Sequence, residues 1–159
     1  MKRLFVLLLL AALLLSGCSA AESSKEQVFN QYGIAITVDG TAQVASGGNA
    51  NQFTLYTNVG TLEFSYYSQA EIPVTEKNVV DFANTLSETP TVDALQNGAY
   101  LITLPPRDGG NGINIVESYY LIQLGSACWR VYAVSLEPSY NKEALTAAML
   151  SLRFANRSK

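Results

Sequence analysis

The chain of 159 residues contains no histidine. That absence removes the commonest general base and metal ligand. A Ser-His-Asp or Cys-His catalytic arrangement is therefore impossible, and zinc would need cysteine and carboxylate ligands alone. Cysteine is scarce as well, with only Cys18 and Cys128. There is no basic run, which makes the chain a poor nucleic-acid binder and leaves it without a polybasic patch for anionic lipid. Glycine and proline are sparse at 11 and 5 residues. Together they are about 10% of the chain against an average near 12%, which excludes a collagen-like or low-complexity polymer. Hydrophobic residues reach 48%, too many for a disordered chain. Only one apolar run is long, so the chain is not a multi-span membrane protein. No internal repeat stands out.

That run is Leu4 to Leu15, preceded by the basic Met1-Lys2-Arg3. Twelve helical residues span about 18 Å at 1.5 Å each, short of the roughly 30 Å of a hydrocarbon core. The run reads as the hydrophobic region of an export signal. It ends in Leu15-Ser16-Gly17-Cys18, which resembles the lipobox of bacterial lipoproteins at all four positions. The resemblance implies cleavage between Gly17 and Cys18 and a diacylglycerol thioether on Cys18, which becomes the new N-terminus. Ser19 follows where lipoproteins kept in a Gram-negative inner membrane often carry Asp. In a two-membrane cell it favours the outer membrane. Two or more acyl chains anchor stably, so the expected location is the extracytoplasmic face of a cell membrane or outer membrane. Removal of residues 1–17 leaves eight basic against thirteen acidic residues, a side-chain balance of −5.

With Cys18 acylated, Cys128 has no intramolecular partner. A disulfide framework is excluded. Cys128 stands in the apolar run Ala127-Cys128-Trp129-Arg130-Val131 and reads as a small buried hydrophobe. Arg130, two residues on and on the same strand face, is the one neighbour that would lower its pKa.

Residues 18–27 are small and polar and read as a tether. The domain is expected over residues 28–154 and a short tail over residues 155–159. Alternating patterns predict strands at 32–38, 41–46, 52–57, 61–68, 91–95, 98–104, 113–124 and 128–136, with a hairpin about Asn58-Val59-Gly60 and the clearest one about Gly125-Ser126. Residues 105–112 (PPRDGGNG) read as a loop. Thr75 is set to cap a helix from Glu76 to about Ser87, with Val79, Phe82, Ala83 and Leu86 on one stripe. Asn141 is set to cap a second, with Leu145, Ala148, Met149 and Leu152 on its stripe. The expected fold is α+β: an antiparallel sheet of about six strands covered by two helices.

The segment Trp129-Arg130-Val131-Tyr132, the polar turn after it and a C-terminal helix ending Leu150-Ser151-Leu152-Arg153-Phe154 together resemble the PsbP-like fold. That fold is named for an extrinsic photosystem II subunit and is shared with a Ran-binding import factor and many bacterial lipoproteins. The resemblance implies an assembly or binding factor without a shared active site, and it carries over no functional residue. A cystatin-like or other helix-on-sheet fold is the alternative.

No chemistry-bearing motif stands out. Paired carboxylates can hydrolyse glycosides, but Glu76, Asp81, Glu88 and Glu143 read as solvated faces. Asp108 to Asn114 fails the EF-hand pattern, because positions three and five are glycine and Glu117 falls at the tenth. Gly47-Gly48 and Gly109-Gly110 lack a phosphate-cradling context. Aromatics remain: nine tyrosines and one tryptophan suit protein or sugar contact. Tyr66-Tyr67 and Tyr119-Tyr120 each place one member on either side of a strand. An outer face carrying Tyr67 with Tyr119 or Tyr120 makes a binding patch, and Arg107 and Asp108 make a loop contact point. The candidate partner-contact residues are thus Tyr67, Arg107, Asp108 and Tyr120. No cofactor, metal or nucleic acid is expected. The expected partners are the membrane, through Cys18, and an envelope protein. The expected function is a membrane-anchored, non-catalytic binding or assembly domain, with a small-ligand or glycan-binding module on the aromatic sheet face as the alternative.

Overall fold

The computed structural model describes residues 24–45, 48–49, 51–68 and 73–155. The expected export signal over residues 1–17, the expected cleavage and acylation point at Gly17 and Cys18, Gly47 and residues 156–159 lie outside them. The strands are β1 (Lys25–Phe29), β2 (Ile34–Val38), β3 (Gln43–Val44), β4 (Gln52–Thr57), β5 (Gly60–Ser68), β6 (Thr91–Ala94), β7 (Tyr100–Thr103), β8 (Arg107–Asp108), β9 (Asn114–Leu124), β10 (Ala127–Leu136) and β11 (Arg153–Phe154). The helices are α1 (Glu76–Leu86) and α2 (Lys142–Leu150).

An eight-stranded antiparallel sheet, in the order β3-β4-β5-β10-β9-β7-β6 with β8 also on β9, forms the body of the fold. A second sheet, β1-β2-β11, shares no strand pairing with it. The fold is α+β with two helices, as expected, but the strand count is larger than the expected six. Three of the eleven strands lie outside the segments whose alternation predicts a strand. β1 starts at Lys25, so residues 25–27 leave the expected tether and join a sheet. Their polar sequence hid this, because β1 is an edge strand. Gln27 uses both ends of its amide, donating to Gly40 O at 3.0 Å and accepting from Ala42 N at 2.9 Å. Glu26 pairs with Arg153 at 2.7 Å. The second segment is β8, inside the expected 105–112 loop. The third is β11: Arg153 and Phe154 pair with β2 instead of ending the last helix. Ala155, placed by the sequence in the tail, donates its N–H to Gly33 O at 3.0 Å.

The helices start where their caps allow. The Thr75 hydroxyl accepts from Asn78 N, and the Asn141 side chain accepts from Ala144 N. Each satisfies one of the unpaired N–H groups of a first turn. They pack on opposite faces of the large sheet. On the inner face, Leu145, Ala148 and Met149 of α2 join Leu62, Phe64, Leu101, Tyr120, Trp129 and Val131, with β2 closing the layer. On the outer face, Val79 and Ala83 of α1 pack with Ile102 and Leu121. Strand alternation sorts these sets, since Tyr120 and Leu121 are neighbours in sequence and belong to opposite cores.

Aromatic rings stack through the inner core. Phe53 lies between Tyr32 and Phe64, with ring centres 3.9 and 4.7 Å away and planes nearly parallel. Trp129 meets Phe53, Phe64 and Tyr66 edge-on. Offset and edge contacts of this kind add about 0.5–1.5 kcal/mol each beyond the apolar area they bury.

Candidate functional site

α1 covers the β9-β7-β6 side of the outer face. Over β5 and β10 the face carries Tyr67, Arg130 and Tyr132, all partly exposed. The register makes the arrangement. β10 runs between β5 and β9, so Cys128 sits between Tyr67 and Gln123, Arg130 between Ser65 and Leu121, and Tyr132 between Glu63 and Tyr119.

These side chains form one continuous array. The Arg130 guanidinium carbon lies 5.0 Å from the ring centre of Tyr67 and 5.6 Å from that of Phe82 on α1. Phe82 meets Tyr119 edge-on at 5.6 Å, and Tyr119 lies against Tyr132 at 4.8 Å. The Tyr132 hydroxyl donates to Oε1 of Glu117. Arg107 Nε donates to Oε2 of the same carboxylate at 2.5 Å. Tyr67 and Arg107, singled out separately in the sequence, are thus the two ends of one chain of contacts.

The charges are tuned by that chain. The Glu117 side chain is only 14% exposed, and the hydrogen bond from Arg107, then that from Tyr132, holds its carboxyl below the usual carboxylate range against the opposing effect of burial. Burial, followed by the proximity of Glu117, pushes the Tyr132 phenol well up. Tyr119 is raised by burial first and Glu117 second. Burial raises the Cys128 thiol, and the charge of Arg130 only partly offsets it. Cys128 is therefore a packed thiol and not an activated one.

Beside Arg130 the face dips into a small cavity of about 80 Å³ between the start of α1 and the sheet. Val74, Val79, Phe82, Leu121 and Cys128 give it apolar walls, and Tyr67, Asn78 and Arg130 stand among them. It can take an apolar group the size of one side chain, with an anion or carbonyl against the guanidinium. Among the described residues no three acidic or cysteine side chains group to hold a metal ion.

One sequence expectation needs correcting. Tyr120 is 0% exposed and belongs to the inner core. Its hydroxyl is 3.4 Å from Thr146 Oγ1 on α2, and burial pushes its pKa up to about 12. Tyr119 is the member of that pair on the outer face with Tyr67. Asp108 is exposed, as a loop contact point requires, and its carboxylate also accepts from Gly110 N at 2.8 Å. Sequence reading missed the pairing of Tyr132 with Tyr119 and Glu117. The signal was present: with Gly125-Ser126 as the turn, Tyr119 and Tyr132 lie equally far from it and must face each other.

No protein-family model matches the chain, and no curated protein matches it in sequence. Solved structures do match in fold. The Ran-binding protein Mog1p of Saccharomyces cerevisiae superposes with a TM-score of 0.56 at 9% identity, over 82% of this chain and 95% of its own. A protein of Bacteroides thetaiotaomicron superposes with a TM-score of 0.55 at 7% identity over 85% of this chain. This chain spans 50% of that protein's length. At such identities the likeness is one of fold alone, and it fits the expectation of a PsbP-like domain.

Proposed function

We propose that this is a lipid-anchored lipoprotein on the extracytoplasmic side of a bacterial membrane, whose α+β domain binds a protein partner and catalyses no reaction. The observation that carries the binding reading is the outer sheet face. α1 leaves part of it open, and there Tyr67, Arg130 and Phe82 frame a small apolar cavity. Tyrosine and arginine at the rim of an apolar pocket are the residues that dominate protein interfaces. That a domain of this fold in Mog1p is Ran-binding gives a precedent for protein recognition on the scaffold. The anchor reading rests on the lipobox at Leu15-Ser16-Gly17-Cys18 and the basic and apolar segments before it.

The cavity size favours a partner's side chain over an enclosed small ligand. Pockets that enclose a ligand run to roughly 300–1,000 Å³, several times the space here. One apolar side chain of a partner fits this space better than a sugar ring.

The test is purification of the acylated protein from membranes in mild detergent, followed by mass spectrometry of what accompanies it. A stoichiometric protein is expected, retained by the wild type and lost from Tyr67→Ala and Arg130→Ala variants that keep their thermal midpoints. A protein that comes out alone, or a companion indifferent to both changes, would remove the binding role of this face. The intact mass should begin at Cys18 with acyl chains added, and a Cys18→Ser chain should carry none.

A further inference from the structure

The opposite end of the sheet carries a second exposed feature. Tyr56, near the end of β4, is 52% exposed, and Leu136, at the end of β10, is 51% exposed. Between them lies a shallow hollow lined by Val59, Ile115 and Val134 among others. Val59 stands in the turn between β4 and β5 and also lines the neighbouring hollow over α2. Ser24, the first described residue, lines that same hollow. The polypeptide therefore enters the domain beside the apolar patch.

We propose that the domain rests on the lipid bilayer through this Tyr56–Leu136 end. The inference builds on the acylation of Cys18 proposed above. Five residues lie between Cys18 and Ser24, and the six Cα steps at 3.3–3.6 Å each reach at most about 22 Å. The far end of β10, at Ser126, is a further strand length of roughly 33 Å away. The tether thus keeps the Tyr56–Leu136 end at high effective concentration against the membrane and holds the other end out. Tyrosine suits the headgroup region, with an apolar ring below and a hydroxyl in water. A second copy of this chain is the poorer occupant. Two half-exposed large side chains offer about 200 Å², against roughly 800 Å² per partner in a stable complex. Charges of both signs stand near this end, with Lys25 and Arg107 against Asp39, Asp108 and Glu137, so the contact needs no anionic lipid.

The arrangement also orders the two surfaces. The Tyr67–Arg130 cavity lies toward the Ser126 end of β10. With the Leu136 end on the membrane, it faces outward, where a partner can reach it.

The experiment uses the acylated protein in phosphatidylcholine vesicles, after its mass has been measured. A nitroxide is attached through Leu136→Cys or, separately, Ser126→Cys. Cys18 is blocked by acylation and Cys128 is buried, so the new thiol takes the label. The ratio of oxygen to polar nickel-chelate collisions should rise several-fold at position 136 on vesicle binding and stay at its aqueous value at position 126. Aqueous values at both positions in a protein that carries acyl chains, or shielding at 126 alone, would overturn this docking and leave the anchor intact. A mass without acyl chains would overturn the anchor reading and this inference with it.

Discussion

The phenol of Tyr132 donates its hydrogen bond to the carboxylate of Glu117, whose other oxygen accepts from Arg107. A hydrogen bond to a charged group contributes about 1.5–3 kcal/mol, and the pair joins β10 to β9 on the face that α1 does not fully cover. Tyr132→Phe should lower unfolding free energy by about 1–2 kcal/mol in urea titrations at pH 7. It should leave the fold and the Tyr119 ring contact in place. A variant with an unchanged midpoint would mean that the bond contributes nothing net.

The same carboxylate has a pH signature. Its folded pKa lies below the unfolded value, which is about 4.3. Its contribution is therefore complete above that unfolded value and is lost as pH falls through the folded one. Urea midpoints measured from pH 7 to pH 2.5 should fall more for the wild type than for Glu117→Gln, which has no charge to lose. Parallel curves for the two proteins would show that Glu117 ionises alike in both states.

Cys128 is free and buried, and its thiol is raised by burial. Labelling by an aromatic disulfide at pH 8 requires the sheet face or α1 to open first. The native protein should react about 100-fold more slowly than the urea-unfolded chain. Fast labelling of the native protein would show that the cavity beside Arg130 opens readily to solvent.

Most of the fold was legible because its signals are local. Two caps, two apolar stripes and the Gly125-Ser126 turn each need only a few adjacent residues, and α1, α2 and the β9–β10 hairpin follow from them. What escaped is what depends on distant partners. Lys25-Glu26-Gln27 has no strand pattern, yet becomes β1 because β2, itself buried, offers it an edge. Arg153 and Phe154 read as the end of a helix until β2 is there to pair with them. The site divides the same way. Tyr67 and Arg107 were recognisable as exposed residue types, whereas the choice between Tyr119 and Tyr120 depends on which face α2 covers. Arg130 was visible only as a neighbour of Cys128, because Phe82, its second ring, comes from a helix 48 residues earlier in the chain.

Phe53 between Tyr32 and Phe64 ties β4 and β5 to the residues just before β2. Phe53→Ala removes a buried ring from both stacks and takes away the edge partner of Trp129. It should cost about 3–5 kcal/mol. Phe53→Leu, which keeps most of the volume, should recover part of that loss. Equal losses for the two changes would assign the stability to aromatic geometry instead of filled space.

Gly60 tests how closely β5 approaches β10. Its φ is +146°, and a Cβ there would stand 2.5 Å from both Ser135 Oγ and Val134 O. Ser135 Oγ donates to Val59 O at 2.6 Å, so the methyl group of alanine must displace that bond or separate the strands. Backbone strain and overpacking together put the cost of Gly60→Ala at about 2–4 kcal/mol. Gly125 provides the comparison. Its φ is also positive, at +60°, but nothing lies within 4 Å of its would-be Cβ. Gly125→Ala should therefore show the conformational penalty alone, about 1 kcal/mol. The difference between the two urea-derived losses isolates the close contact at Val134 and Ser135. If Gly60→Ala loses no more than Gly125→Ala, the β4–β5 turn has room to move away from β10, and the hollow beneath Tyr56 and Leu136 is a softer surface than the one described.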